Sequence, residues 1–128
     1  MTIELTMLFW STILLLVLIL IPAGVAIMNN GPLAQAGARD ELPKPSVFHS
    51  RANRLAANMS ENLILFLALI LIAHAAGIST EYTVLGAQVF FYARVAHAVI
   101  YLMGWPMIRP LAWLAGVIGM GMVAAALI

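Results

Sequence analysis

The sequence predicts an all-α integral membrane protein, a four-helix transmembrane bundle formed by one domain over residues 1–128. Composition is the first reason: 64% of the residues are hydrophobic, 9% are charged, and the mean hydropathy is +1.05. A soluble domain carries roughly 25% charged residues, so this chain lacks the polar surface that water requires. The second reason is that four apolar segments approach the ~20 residues that cross a bilayer as a helix. The chain has no cysteine, which excludes disulfides, thiolate nucleophiles and cysteine-ligated metals.

The first predicted span covers Leu5–Met28. Glu4 is the one charged residue just ahead of this span, and no Lys or Arg precedes it. The apolar run is also longer than that of a signal peptide, so we expect a transmembrane helix that is not cleaved off. Pro22 is expected to kink this helix or to end its regular part. The following stretch, Asn29–Ser50, is predicted to be the one long loop, and Ser46 is a candidate cap for the next helix.

The other three spans are predicted at Leu55–Ile78, Tyr82–Gly104 and Pro110–Ile128. A tight turn at residues 77–81 separates the second span from the third, and Gly104-Trp105-Pro106 separates the third from the fourth. The fourth span carries small residues that let helix backbones approach closely in lipid. These residues are Ala112, Gly116, Gly119, Gly121 and Ala124.

The distribution of basic residues predicts the orientation of the bundle. Arg39, Lys44, Arg51 and Arg54 lie in the first loop and at the foot of the second span, and Arg109 lies between the third and fourth spans. The two ends of the chain and the second turn hold no Lys or Arg. We therefore expect both termini outside, with the first and third connections in the cytoplasm.

Two polar stripes lie within the spans, where charged side chains are costly and mark a functional site by default. The uninterrupted apolar run 63–77 is too short to cross the bilayer alone, so the polar positions before it lie at membrane depth. The first stripe, with spacings of three, four and three along one helix face, is Arg51, Arg54, Asn58 and Glu61. The second stripe, on the third span, is Arg94, His97 and Tyr101.

Helix geometry brings the two stripes to one level. At 1.5 Å per residue, Glu61 lies about 24 Å and His97 about 22 Å below the outer ends of their helices. Arg109 begins the fourth span at the same side, so a polar chamber is predicted in the cytoplasmic half. With Arg54, Arg94 and Arg109 against Glu61 the chamber is net positive, which suits the carboxylates of an anionic ligand.

Structural interpretations of the same residues remain open at this point. Arg51 and Arg54 could be snorkelling side chains at a helix end, and Arg94 with Glu61 could form an ion pair that holds two helices together. Glu61 could instead bind a ligand ammonium group. The three histidines have no paired spacing, so we expect no metal site.

Two motifs resemble the signatures of the MAPEG family, the membrane-associated proteins in eicosanoid and glutathione metabolism. Residues 51–62, Arg-Ala-Asn-Arg-Leu-Ala-Ala-Asn-Met-Ser-Glu-Asn, resemble its helix 2 signature. Residues 94–102, Arg-Val-Ala-His-Ala-Val-Ile-Tyr-Leu, resemble its helix 3 signature, and Pro106-Met-Ile-Arg109 resembles the approach to helix 4. The resemblance extends over all four spans and is of the bacterial type, which implies a bacterial inner membrane.

The resemblance implies a homotrimer that binds glutathione as a co-substrate between subunits, with membrane lipids and a hydrophobic substrate as its other partners. The glutathione-site residues by motif position would be Arg54, Asn58, Glu61, Arg94, His97 and Tyr101. Arg109 matches the family arginine that stabilises the glutathione thiolate, and a nearby cation lowers a thiol pKa. The implied activity is a glutathione transferase or peroxidase acting on hydrophobic electrophiles or lipid hydroperoxides.

Several positions depart from the family pattern. Many members have arginine where this chain has Ala57, and Pro110 and Trp113 replace a Ser or Tyr often found just after the helix 4 arginine. Bacterial-type members often have a proline soon after the glutamate, where this chain reads Leu63-Ile-Leu-Phe66. These departures keep open a non-catalytic member that binds lipid or has a structural role.

A small multidrug exporter is a third class with four short helices. Such exporters need a carboxylate inside the first helix, where this chain has none, and the first loop is too long for one.

Overall fold

The computed structural model describes residues 1–128 and contains five α-helices. Four of them are long and apolar enough to cross a membrane, which confirms the four-helix membrane fold. The helices are α1 (Ile3–Asn30), α2 (Pro32–Ala36), α3 (Val47–Ala75), α4 (Glu81–Met103) and α5 (Arg109–Leu127).

Helix α1 begins after Thr2, whose side-chain oxygen accepts a hydrogen bond of 3.2 Å from the Leu5 backbone N–H. Pro22 does not end this helix, which continues through it to Asn30. Proline is tolerated inside membrane helices because neighbouring groups can satisfy the backbone carbonyls that it releases. Gly31, at φ 84°, closes α1 in a conformation that favours glycine.

The predicted long loop is partly helical, because Pro32 starts the short helix α2. Ser46 caps α3 as expected, accepting a hydrogen bond of 3.1 Å from the His49 backbone N–H. The helix begins at Val47, about two turns before the predicted span at Leu55. These extra turns carry Arg51 and Arg54, which precede the span predicted from hydropathy.

Helices α4 and α5 are in backbone contact. A Cβ atom placed on Gly86 would lie 2.7 Å from the Gly119 carbonyl oxygen, and one on Gly119 would lie 2.6 Å from the Phe90 backbone nitrogen. Only glycine permits such an approach, so the predicted close packing is confirmed at Gly119. Gly121 has nothing within 4 Å and plays no part in this contact.

The core lies between α3 and α4 and is closed by α1 and α5. Phe66 and Phe90 stack there with ring centroids 4.0 Å apart, and both are fully buried. Large apolar side chains such as Leu16, Leu65 and Ile118 point outward. An apolar exterior around a packed core is what a bilayer, rather than water, stabilises.

Candidate functional site

Two ends of the bundle differ in charge. The basic end is defined by the connections after α2 and after α4. It holds more basic than acidic residues: Arg39, Lys44, Arg51, Arg54 and Arg109 against Asp40 and Glu41. The opposite, acidic end is defined by the starts of α1 and α4 and the end of α3, and it holds Glu4 and Glu81. The predicted site residues fall toward the basic end.

A cavity of about 490 Å³, called the site cavity below, opens among α3, α4 and α5. Five of the seven predicted site residues line it, so part of each polar stripe reaches this cavity. The lining is Arg54, Asn58, His97, Tyr101, Arg109, Pro110 and Trp113.

Tyr101 connects the two arginines of the site cavity. Its hydroxyl accepts a hydrogen bond of 3.1 Å from Arg54 Nε. The guanidinium carbon of Arg109 lies 5.1 Å from the centroid of the Tyr101 ring, within the range of a cation–π contact. Because Arg54, Tyr101 and Arg109 come from three different helices, this contact chain ties α3, α4 and α5 together at the cavity.

His97 lies one turn before Tyr101 on α4, with the two ring centroids 5.5 Å apart. Its side chain is buried, and its Nδ1 atom has no hydrogen-bond partner within the chain. A buried polar atom without a partner is costly, and in a cavity wall it is a position where a ligand or water completes the bonding.

Arg94 lies behind the site cavity rather than in its wall. It is 1% exposed; its Nη2 donates to Asn58 Oδ1 at 2.7 Å and its Nε donates to Met59 Sδ at 3.4 Å. A Cβ atom on Gly116 would lie 3.4 Å from Arg94 Cδ, so the glycine leaves room for this side chain against α5. Arg94 therefore orients the Asn58 amide, which does line the cavity.

Glu61 does not join the group within one chain. It is exposed and does not line the site cavity, and the partner of Arg94 is Asn58, not Glu61. The ion pair between Arg94 and Glu61, left open by the sequence, is thus absent. A step of three residues falls about 60° short of a full helical turn, which is enough to carry a side chain from the cavity to the outside of α3.

Pro110 and Trp113 are cavity residues that the sequence marked only as departures from a pattern. A spacing of four from Arg109 to Trp113 puts both on one face of α5, and that spacing could have identified the tryptophan. Arg51 packs its guanidinium against the turn after α4, where a Cβ atom on Gly104 would lie 2.9 Å from Arg51 Nη1.

The site cavity is positively charged and half apolar. Arg54 and Arg109 line it with no carboxylate beside them, and Trp113 and Pro110 supply its apolar wall. Guanidinium groups bind carboxylates in bidentate geometry, so this lining suits an anionic ligand next to an apolar one. No group of three or more His, Asp or Glu side chains comes close enough to hold a metal ion.

A larger cavity, of about 710 Å³, lies on the other side of α3, among α1, the first connection and α3. Arg39, Lys44 and His49 line it, and Arg39 has a backbone φ of 66°, unusual for a residue other than glycine. None of the seven predicted site residues is part of it.

Nearly the whole chain matches a known protein family. A family model described as MAPEG family matches residues 7–128, a range that contains every residue of the site cavity. No curated protein and no solved structure matches the chain.

Proposed function

Because this chain belongs to the MAPEG family, we propose that it is a membrane-bound glutathione-dependent transferase or peroxidase that acts on hydrophobic electrophiles or lipid hydroperoxides. Membership supports a glutathione-related membrane function in general. The observation that carries the specific proposal is the pairing of Arg54 and Arg109 through Tyr101 in a cavity without a carboxylate.

Glutathione is a suitable ligand because it offers two carboxylates to the cationic lining and one thiol. Arg54 is exposed to the cavity, and Tyr101 directs its guanidinium group. Asn58 is held in place by Arg94 and can donate its amide N–H to a ligand oxygen. His97 Nδ1, buried and unpartnered, is a further position for a polar ligand atom.

Arg109 is the proposed catalytic residue. It begins α5, and its guanidinium group lies over the Tyr101 ring with no acidic partner to neutralise it. A cation beside the thiol favours the thiolate, which is the nucleophilic form. The thiolate sulfur then forms a bond to the electrophilic carbon as the leaving group departs with its electron pair. With a hydroperoxide, two glutathione molecules become the disulfide as the substrate is reduced to an alcohol and water.

The second substrate is proposed to arrive from the bilayer. Trp113 is exposed on α5 and lines the site cavity, so one wall of the cavity continues into the lipid-facing surface. An apolar electrophile dissolved in the membrane can reach that wall without crossing water. This is the advantage of placing the thiol site within a transmembrane bundle.

Assembly into a homotrimer is part of the proposal, and Glu61 supports it. The residue lies at the middle of α3 and is exposed in the single chain, although a carboxylate that faces lipid at this depth is strongly unfavourable. A neighbouring subunit that packs on this face would cover Glu61 and bring it to the rim of a shared site.

We further propose a bacterial inner membrane as the location, with both termini outside.

A non-catalytic, lipid-binding or structural role is the second candidate. It is favoured by Pro110 and Trp113, which make part of the cavity wall apolar where a hydroxyl group would assist a thiolate. In that case the cavity would hold a lipid with an anionic headgroup against the two arginines.

An assay of the purified protein with glutathione and a chlorodinitrobenzene separates these candidates. We expect turnover in the native chain, and a fall in kcat of about 10–100-fold in Arg109→Ala with a smaller change in glutathione affinity, because the lost charge acts mainly on the thiolate. Arg39→Ala, outside the site cavity, is the matched control. No turnover above the Arg109→Ala level would favour the non-catalytic role, and equal losses of kcat and affinity would reduce Arg109 to a binding residue.

A further inference from the structure

The acidic end contains a buried carboxylate that the glutathione site does not use. Glu4, in the first turn of α1, is only 3% exposed. Its Oε1 atom accepts a hydrogen bond of 2.8 Å from Ser79 Oγ and another from Thr83 Oγ1. Ser79 and Thr83 belong to the α3–α4 turn and to α4, so this carboxylate joins the start of α1 to the neighbouring helices.

The second oxygen of the same carboxylate has no partner. Glu4 Oε2 is buried and makes no hydrogen bond within the chain. The two hydroxyl donors and the partial positive charge at the start of α1 favour the carboxylate, but neither supplies a full opposite charge, and a buried charge is strongly unfavourable unless one compensates it. The Glu4 carboxylate therefore requires a positive group, which comes either from another part of the chain or from a bound ligand.

No Lys or Arg side chain supplies such a group, and His74, which lines the same cavity, forms no ion pair with Glu4. None of the chain's six Lys and Arg residues is at the acidic end, and Arg94, the one nearest along α4, is about 20 Å from the start of that helix. Met1 is 88% exposed, and no ion pair joins its ammonium group to Glu4. Glu81, the other charged residue of this end, is an exposed acid.

Glu4 lines a cavity of about 220 Å³ between the start of α1 and the end of α3. The last turn of α3 contributes Ala73 and His74 to the lining, and the C-terminal end of a helix carries partial negative charge that favours cations. His74 is the one other titratable residue in this lining. The full lining is Thr2, Glu4, Ile70, Ala73, His74, Gly77, Ile78 and Ser79.

We propose that this cavity is a binding site for a primary ammonium group, with the Glu4 carboxylate as its counter-ion. An ammonium group carries one charge and three N–H donors, which match one carboxylate oxygen and the hydroxyl and carbonyl oxygens around it. A divalent metal is a poorer match, because no three carboxylate or imidazole groups converge here. Water alone would fill the space without compensating the charge.

Two sources can present this chemistry: the ethanolamine headgroup of a phospholipid at the membrane surface, or a free amine in solution. The site lies at the opposite end of the bundle from the site cavity. The proposal is therefore independent of the glutathione activity, and its test does not require turnover.

The first experiment uses the full-length protein in an amine-free phosphate buffer and a nonionic detergent, without glutathione. Ethylammonium chloride is expected to raise the Tm by a few degrees in a saturable manner, because a ligand that binds only the folded state stabilises it. Choline chloride at the same ionic strength, which has no N–H donor, is the control and should leave the Tm unchanged.

Variants assign the effect to the carboxylate. Glu4→Gln keeps an oxygen acceptor for the two hydroxyl groups and removes the charge, so the ethylammonium effect should disappear. Glu81→Gln removes an exposed acid from the same end and should retain the effect. If Glu4→Gln does not fold, direct titration calorimetry of ethylammonium and of choline into the native chain replaces it. No binding heat from ethylammonium, or equal heat from choline, contradicts the site.

Measurements in nanodiscs distinguish a lipid headgroup from a free amine as the source of the ammonium group. Phosphatidylethanolamine and phosphatidylcholine with identical acyl chains differ only in the methylation of the ammonium group. A higher Tm in phosphatidylethanolamine that is lost in Glu4→Gln assigns the site to a lipid headgroup, and an ethylammonium effect without a lipid difference assigns it to a free amine. Equal responses to ethylammonium and choline, or a Glu4→Gln variant that responds like the native chain, would overturn the proposal.

Discussion

Tyr101 is the residue on which the geometry of the site cavity depends most directly. One side chain provides an acceptor for Arg54 Nε at 3.1 Å and an aromatic face for Arg109 at 5.1 Å. Two cations that would otherwise repel each other are thus held at one cavity wall. Both arginines are exposed rather than buried, which limits the repulsion between their charges.

Tyr101→Phe separates these two contacts. The ring remains beneath Arg109, but Arg54 loses the hydroxyl group that directs it. We expect the KM for glutathione to rise about 3–10-fold, as for the loss of one solvated hydrogen bond to a charged group, while kcat changes little. Steady-state kinetics with glutathione as the varied substrate measure this split. Tyr92→Phe, 63% exposed and away from the site cavity, is the control; a fall in kcat alone would show that the hydroxyl group acts on the thiol instead.

At the scale of the helices, the contact between α4 and α5 sets the position of Arg109. The backbones approach at Gly86 and Gly119, and Gly116 leaves space for the Arg94 side chain one turn away. If these helices moved apart, Arg109 and Trp113 would leave the cavity wall that Tyr101 and His97 form. The small residues of α5 therefore support the site as well as the fold.

Gly119→Ala tests this contact. Its new Cβ atom would lie 2.6 Å from the Gly86 carbonyl oxygen, so α4 and α5 must separate. We expect a loss of about 1–3 kcal/mol in the free energy of unfolding, seen as a lower Tm in detergent, as for other overpacked cores. Gly121→Ala has open space around the new methyl group and should be neutral or slightly stabilising. A Gly119→Ala protein as stable as the Gly121→Ala protein would show that the two helices separate without cost.

At the scale of the whole molecule, two features of the single chain point to its surroundings. The site cavity opens to the outer surface, and the Glu61 carboxylate is exposed. The two features lie one turn apart on α3: Asn58 lines the site cavity, and Glu61 is exposed on the outside of the helix. A charge at mid-helix on an apolar exterior is unfavourable in lipid, and the proposed trimer would cover that position.

Glu61→Gln is expected to weaken assembly or glutathione binding. The native chain should appear as a trimer by native mass spectrometry in a mild detergent, and the variant should show a larger monomer fraction or a higher KM for glutathione. Glu81→Gln, an exposed acid at a helix end, should behave like the native chain. An unaffected trimer with unaffected binding would show that the shared site lies elsewhere.

The orientation of the whole chain is open to a direct test, because the absence of native cysteines makes single-cysteine labelling specific. Ile128→Cys should react with a membrane-impermeant maleimide in intact spheroplasts, since the terminus beyond α5 is predicted to lie outside. Asp40→Cys, in the first connection, should react only after the membrane is opened. The reverse pattern would invert the proposed topology.

The sequence by itself determined the number of spans, the cap at Ser46 and five of the residues in the site cavity. These properties are local: hydropathy, helix-capping chemistry and the 3.6-residue period act within one helix. The periodicity of Arg54 with Asn58 on α3 and of His97 with Tyr101 on α4 was therefore enough to predict that they meet, because both pairs lie at one depth.

Only the tertiary structure decided which side of each stripe faces inward. It placed Glu61 on the outside of α3, paired Arg94 with Asn58, brought Trp113 into the cavity wall and buried Glu4 beneath two hydroxyl groups. The rotation of a helix about its axis is set by the shapes of its neighbours, here above all by the glycine contact between α4 and α5. A rotation of about 60°, the offset of a three-residue step, separates a cavity side chain from one that faces the bilayer.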